Sequence, residues 1–219
     1  MPNLYRVAID LDHFFILTDA GAPAGDRLVK LGLREGEPND HPGQGTANRR
    51  FYLRNAMLEL IYIRDSEEAL NGPAAGLRLA ERAAAPGASP FGIVVRHAPG
   101  ADGDPFPGWR YQPEYFEDGV YFLVGDNAER IDEPLVICLP RVPPPHAPWP
   151  APRAPFTAMT ALRVDLPSAA SSPVLDALET CDGLQLGRGR DHAMELTCGG
   201  GSAGRHSDLR PDLPLLIRW

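Results

Sequence analysis

Cysteine is scarce in this chain of 219 residues. Cys138, Cys181 and Cys198 form an odd set with no CxxC spacing, which argues against a disulfide framework or a zinc knuckle and makes a reducing cytosol the default. No apolar run approaches the roughly 20 residues needed to cross a bilayer. The opening "MPNLYRVAIDLDHFF" has no basic segment followed by an apolar one, so the expected location is cytoplasmic, away from membranes. Positive charge is also in deficit. With 21 basic against 29 acidic residues, a net charge of -8 repels a phosphate backbone over most of the surface, so nucleic acid is not an expected partner. A neutral or cationic small molecule is easier to hold. No Ser-His-Asp arrangement can be singled out.

What is present points to an ordered protein of short elements. Hydrophobic residues make up 43% and charged residues 23%, enough apolar surface for one large or two small cores. Proline and glycine, at 24 and 22, predict many turns between short strands.

Residues 4–65 spell β-α-β-β-β. The run "VAIDLDHFFIL" suits a buried strand, "GAPAGDRLVKLG" a short helix with Asp19 as cap and Gly32 as stop, and "RRFYLRN" and "AMLELIYI" two strands turning at Asn55. Residues 66–139 read as a mostly β middle segment, with one helix around Leu77 to Ala85, strands at "PFGIVVRH", "GVYFLVG" and "PLVICLP", and an aromatic loop "PFPGWRYQPEYF". Residues 140–156 form a proline-rich connector that contains His146 and favours extended geometry. Residues 157–219 repeat the opening order of elements in degenerate form.

Two polar side chains interrupt apolar strands. His13 in "LDHFFIL" is expected to share a face with Leu11 and Phe15, and Glu59 in "MLELIYI" one with Met57 and Ile61. A buried carboxylate needs a metal, a cation or a donor network, or else a raised pKa. If the strands are neighbours, His13 and Glu59 can offer a nitrogen and an oxygen to a divalent ion; a hydrogen-bonded core pair is the plainer alternative. The loop "HPGQGTANRR" gathers His41, Gln44, Thr46, Asn48 and Arg49 around Gly43 and Gly45, whose backbone N–H groups can approach a ligand and cradle an oxyanion. It lacks the lysine of a Walker A loop, and it also reads as a glycine turn capped by polar residues. Trp109 and Tyr111 either stack on a ligand or cover a sheet edge.

Together "LDHFFILTD", "HPGQGTANRRFYL" and "AMLELIYI" resemble the glyoxalase-like domain of the vicinal oxygen chelate superfamily, closely over residues 9–65 and elsewhere only by order of elements. The resemblance implies an α+β fold of paired βαβββ modules that form a curved mixed sheet around a ligand cavity, here with a β-rich middle insertion. It implies that His13 falls at a first-strand metal ligand and Glu59 at the carboxylate of the fourth strand, half of a four-ligand site. The other half departs from the pattern: Thr157, Met159, Ala161 and Leu215 stand where further ligands are sought, and Glu195 is the one weak third ligand. The functions that follow are a small-molecule enzyme of unassigned reaction, metal-assisted if a divalent ion binds, or a metal-free binding or sequestering protein of the bleomycin-resistance type, commonly a homodimer.

Overall fold

The computed structural model describes residues 7–141, 149–167 and 172–219. Leu4 to Arg6 of the first expected strand, and residues 142–148 of the proline-rich connector with His146, lie outside the described residues.

The opening segment builds β1 (Ile9–Leu17), α1 (Gly25–Leu31), the short β2 (Arg34–Glu35) and β3 (Asn39–His41), then β4 (Thr46–Tyr52) and β5 (Met57–Ile63). Gly32 ends α1 as expected: at φ 105° it adopts a left-handed conformation and returns its N–H to Leu28 and Val29. The helix starts at Ala24 rather than at Asp19, because Asp19 to Ala22 first makes a turn of its own. Next come α2 (Ser66–Asn71), a single helical turn Ala75–Leu77, α3 (Leu79–Ala84), β6 (Phe91–His97), β7 (Gly108–Tyr111), β8 (Phe122–Gly125) and β9 (Leu135–Cys138). The last third adds β10 (Met159–Leu166), α4 (Pro173–Leu178), β11 (Leu184–Arg188), β12 (Ala193–Cys198), β13 (His206–Asp208) and β14 (Leu215–Arg218).

The strands form two mixed sheets. In the larger, the order is β2-β4-β5-β1-β6-β9-β8-β7, with β3 also on β4. β1 is parallel to β5, β6 is parallel to β9, and β1 meets β6 antiparallel, so two similar halves join across β1 and β6. The smaller sheet, β11-β10-β12-β14-β13, repeats that joint in miniature. There β10 is parallel to β11 and antiparallel to β12, which is parallel to β14. Both joints carry a register slip, between Leu11 and His13 on β1 and between Met159 and Ala161 on β10.

Alternation along the strands sends side chains to two cores. Phe14, Ile16, Leu58, Leu60, Ile93 and Val95 face α1, α4 and the smaller sheet, where Leu162, Val164, Leu196 and Ile217 complete one continuous cluster. Asn55 ties this junction, donating to the Met159 carbonyl and accepting from the Met159 N–H, both at 2.9 Å. Phe15, Leu17, Ile61, Val94, Tyr111 and Leu135 face the opposite way, into a second cluster closed by Leu77 and Leu79. That face holds the cavity.

Gly92 on β6 sits across from Phe15, and a Cβ there would lie 1.9 Å from the Phe15 ring. The glycine makes room for the aromatic wall of the cavity. Gly92→Ala is expected to cost about 1–3 kcal/mol, the usual range for an overpacked core, read as a shift in urea midpoint at constant slope.

Candidate functional site

The slip after Leu11 decides how His13 is presented. Leu11 packs in the core between the sheets, yet His13 and Phe15 line the cavity, so Leu11 and His13 do not share a face as simple alternation predicts. Asp12 is the extra residue of a β-bulge, a device that re-aims neighbouring side chains. Its Oδ1 lies 2.7 Å from His13 Nδ1, and its Oδ2 accepts from Arg96 Nη1 at 3.0 Å. An acceptor at Nδ1 places a proton there and leaves Nε2 facing the cavity.

Glu59 reaches the same cavity from β5. The parallel ladder pairs Phe15 with Glu59, which brings His13 Nε2 to 4.0 Å from Glu59 Oε2. The other carboxylate oxygen, Oε1, accepts from Asn48 Nδ2 at 3.0 Å. Asn48 is fully buried, and its orientation follows from its partners: the Asn39 backbone N–H donates to Oδ1 at 2.9 Å, so the amide nitrogen must be the atom on the other side. That nitrogen also meets His41 Nε2 at 3.3 Å. His41 therefore accepts at Nε2 and carries its proton on Nδ1, which lies 2.9 Å from Thr46 Oγ1.

The two imidazoles are tuned in opposite directions. Burial lowers the pKa of His13, but the hydrogen bond it donates to Asp12 and the charges of Glu59 and Asp12 outweigh it, and the net value rises above 6.5. Burial dominates at His41 and keeps it below 6.5, hence neutral at pH 7. Asp12 feels burial upward, yet its bonds to His13 and Arg96 hold it below 3.8. A raised histidine stabilises the fold fully below its unfolded value and loses that contribution as pH climbs through the folded one. The depressed Asp12 contributes above 3.8 and loses its share on acidification. His13→Asn is therefore expected to cost most stability between about pH 4 and 6.5, with the gap to the wild type closing at higher pH; urea unfolding across pH checks it.

The cavity measures about 170 Å³. Around the polar pair it is apolar, with Phe15, Ile61, Val94, Leu135 and Ile137 as wall. Of the residues singled out in the sequence, His41, Gln44 and Tyr111 line it, and Gln44 donates to the hydroxyl of Tyr115, a lining residue the sequence did not single out. Burial raises the pKa of both tyrosines, so they remain protonated donors.

Other expected residues lie elsewhere. Arg49 points away from the cavity, since Asn48 and Arg49 are strand neighbours and only one can face it; Arg49 is bound by Glu35 at 2.6 Å and by Asp26 at 2.9 Å. Arg50, the next residue, sits across from Glu59 in the pairing of β4 with β5. Thr46 positions His41 from beneath. Trp109 lies on β7, not in a loop, and packs over Gly76. The oxyanion cradle is already filled: Glu68 on α2 accepts from the Gly43 N–H at 3.0 Å and the Gly45 N–H at 2.9 Å. Gly45, at φ 66°, is needed there because a Cβ would lie 2.3 Å from the Asp65 carbonyl.

A divalent ion at His13 and Glu59 would need further donors from the facing strands. Those strands are β6 and β9, where Val94 opposite His13 and Ile137 opposite Val94 are hydrocarbon. Glu195 is on β12 in the smaller sheet, paired with Arg218 at 2.7 Å and away from the cavity lining. Among the described residues no three His, Cys, Asp or Glu side chains gather where an ion could be held. This donor set does not fit a four-ligand metal. No helix among the described residues is long and apolar enough to cross a membrane.

Residues 11–102 match the family model described as a glyoxalase-like domain. A hypothetical protein from Staphylococcus aureus superposes with a TM-score of 0.57 at 12% identity, over 96% of this chain and 98% of that one, and so shares the fold. A hypothetical protein from Bacillus halodurans (TM-score 0.40, 14% identity, 64% of this chain and 99% of that chain) and a methylmalonyl-CoA epimerase (0.40, 10%, 62% and 97%) overlay on part of it. No curated protein matches the sequence.

Proposed function

We propose that this chain, which carries a glyoxalase-like domain over residues 11–102, is an enzyme that moves a proton on a small molecule held in the cavity, with Glu59 as base and His13 as acid. The observation that carries this reading is the facing pair. His13 Nε2 and Glu59 Oε2 stand 4.0 Å apart at an apolar cavity, while each group's second polar atom is held by a partner, Asp12 and Asn48 respectively. Holding the outer atoms leaves one acid and one base free to meet a reacting atom between or beside them. The Asp12 contact keeps His13 ready to donate; the single Asn48 bond leaves Glu59 with an oxygen able to accept. Tyr111 and Tyr115 add hydroxyls that can orient an oxygen of the ligand. The apolar wall excludes water and strengthens these interactions.

The test is a screen of small carbonyl and hydroxy compounds for incorporation of solvent deuterium, followed by NMR. Enzyme-dependent exchange at one carbon of one compound class is the expected result. Tight binding of a compound that never exchanges would favour the second reading, a metal-free sequestering protein, for which the largely hydrocarbon wall of Phe15, Ile61, Val94, Leu135 and Ile137 speaks.

A further inference from the structure

A second hollow of about 290 Å³ opens on the other side of His13. His13 and Leu139 line both spaces, so the two meet at His13, one member of the proton-transfer pair. Their chemistry differs. The second is bounded by Arg50, Arg96 and Arg141, with Met57 and Trp149 as apolar cover. Among the described residues Asp12 is the one carboxylate in its lining, and it is already engaged by His13 and Arg96. On a protein of net charge -8, this is a local reversal of sign.

The three arginines are not equally committed. Arg96 serves Asp12 at 3.0 Å and lies 3.9 Å from Asp10. Arg141 donates to the carbonyls of Ala101 at 2.8 Å and Gly103 at 2.9 Å, and meets the exposed Asp102 at 3.2 Å. Arg50 donates through Nε to the Glu37 carbonyl at 2.8 Å and makes no ion pair among the described residues. Its terminal guanidinium edge is therefore available, at the entrance, to an oxyanion whose planar geometry it matches.

We propose that the ligand of this site is an anionic small molecule, a carboxylate or phosphate ester, whose acidic group is held by Arg50 with Arg96 and Arg141 and whose hydrocarbon body enters the apolar cavity. This rests on the reading of His13 and Glu59 as the proton-transfer pair, since the bond to be acted on then lies between the two spaces, next to that pair. The glycine loop is not an alternative seat for the anion, because the Glu68 carboxylate occupies its N–H groups.

The experiment is calorimetric titration of the full chain with hexanoate, hexyl phosphate, hexanamide and hexylammonium. At least one acid is expected to bind about tenfold or more tightly than the amide, a difference that shrinks with added salt. Comparison of the two acids identifies the oxyanion. Arg50→Gln should remove most of the preference, and Arg50→Lys should restore part of it. Glu59→Gln should retain it, which separates this proposal from the proton-transfer reading: anion preference without proton exchange sinks only the latter. Equal binding of amide and both acids, or a preference intact in both Arg50→Gln and Arg141→Gln, would overturn the assignment of an anionic ligand.

Discussion

Replacing Glu59 with glutamine is expected to slow proton exchange on the bound ligand by about 10²–10⁴-fold, the usual contribution of a positioned acid or base. The substitution preserves shape. The oxygen of the new amide can still accept from Asn48, so the chain Asn39, Asn48 and His41 is kept and the fold should be unchanged. Two things are lost. The atom facing the cavity no longer accepts a proton, and His13 loses an anion that favours its charged form. Binding should change less than turnover, because the apolar wall and Tyr111 are untouched. Exchange at the wild-type rate in a folded Glu59→Gln protein would exclude Glu59 as the base.

The largest effect on stability is expected at a residue far from the chemistry. Arg82 on α3 is 3% exposed and donates to four backbone carbonyls: Nη1 to Ile131 and Glu133, Nη2 to Ala128 and Arg130. Burial, aided by the nearby Arg78 charge, lowers its pKa to about 10, which leaves it charged at pH 7. The segment it gathers, residues 128–133, leads from β8 into β9, whose Leu135 and Ile137 wall the cavity. Within that segment Glu133, wholly buried, accepts from Ser172 Oγ at 2.8 Å and Asn127 Nδ2 at 3.1 Å, which ties the strap to the start of α4. Arg82→Met keeps the aliphatic stem and strands the carbonyls, so a loss of about 3–5 kcal/mol is expected. Arg82→Lys should recover part, having the charge but not the fork. A urea midpoint equal to that of the wild type would contradict this role.

His13 and Glu59 were legible because each is a polar residue set directly among apolar ones, His13 before Phe14 to Leu17 and Glu59 within "MLELIYI", and burial of such groups demands a purpose. Strands β1, β4 and β5 and helix α1 were legible from periodicity and from Gly32; the short β2 and β3 were not. The face of Leu11 was not, because a bulge at Asp12 leaves no mark in an alternation pattern. Arg50 was missed for a related reason: the strand begins at Thr46, inside a stretch rich in polar residues that reads as a loop, which hides the alternation that sets Arg49 and Arg50 on opposite faces. The glycine loop looked open because its occupant, Glu68, arrives from a separate helix. The opposite wall of the cavity was hidden in "PFGIVVRH" and "PLVICLP", where valine and isoleucine look alike on both faces. Further metal ligands were consequently sought at Thr157, Met159, Ala161, Glu195 and Leu215, none of which lines the cavity.

The proton-transfer chemistry depends on His13 and Glu59 facing each other at one cavity. NMR titration of the His13 ring, in the wild type and in Glu59→Gln, probes that contact at the two groups themselves. A wild-type midpoint above the ordinary 6.5 is expected, and it should move down when the carboxylate is removed. A midpoint below 6.5 in the wild type, or one that does not respond to Glu59→Gln, would refute the pairing.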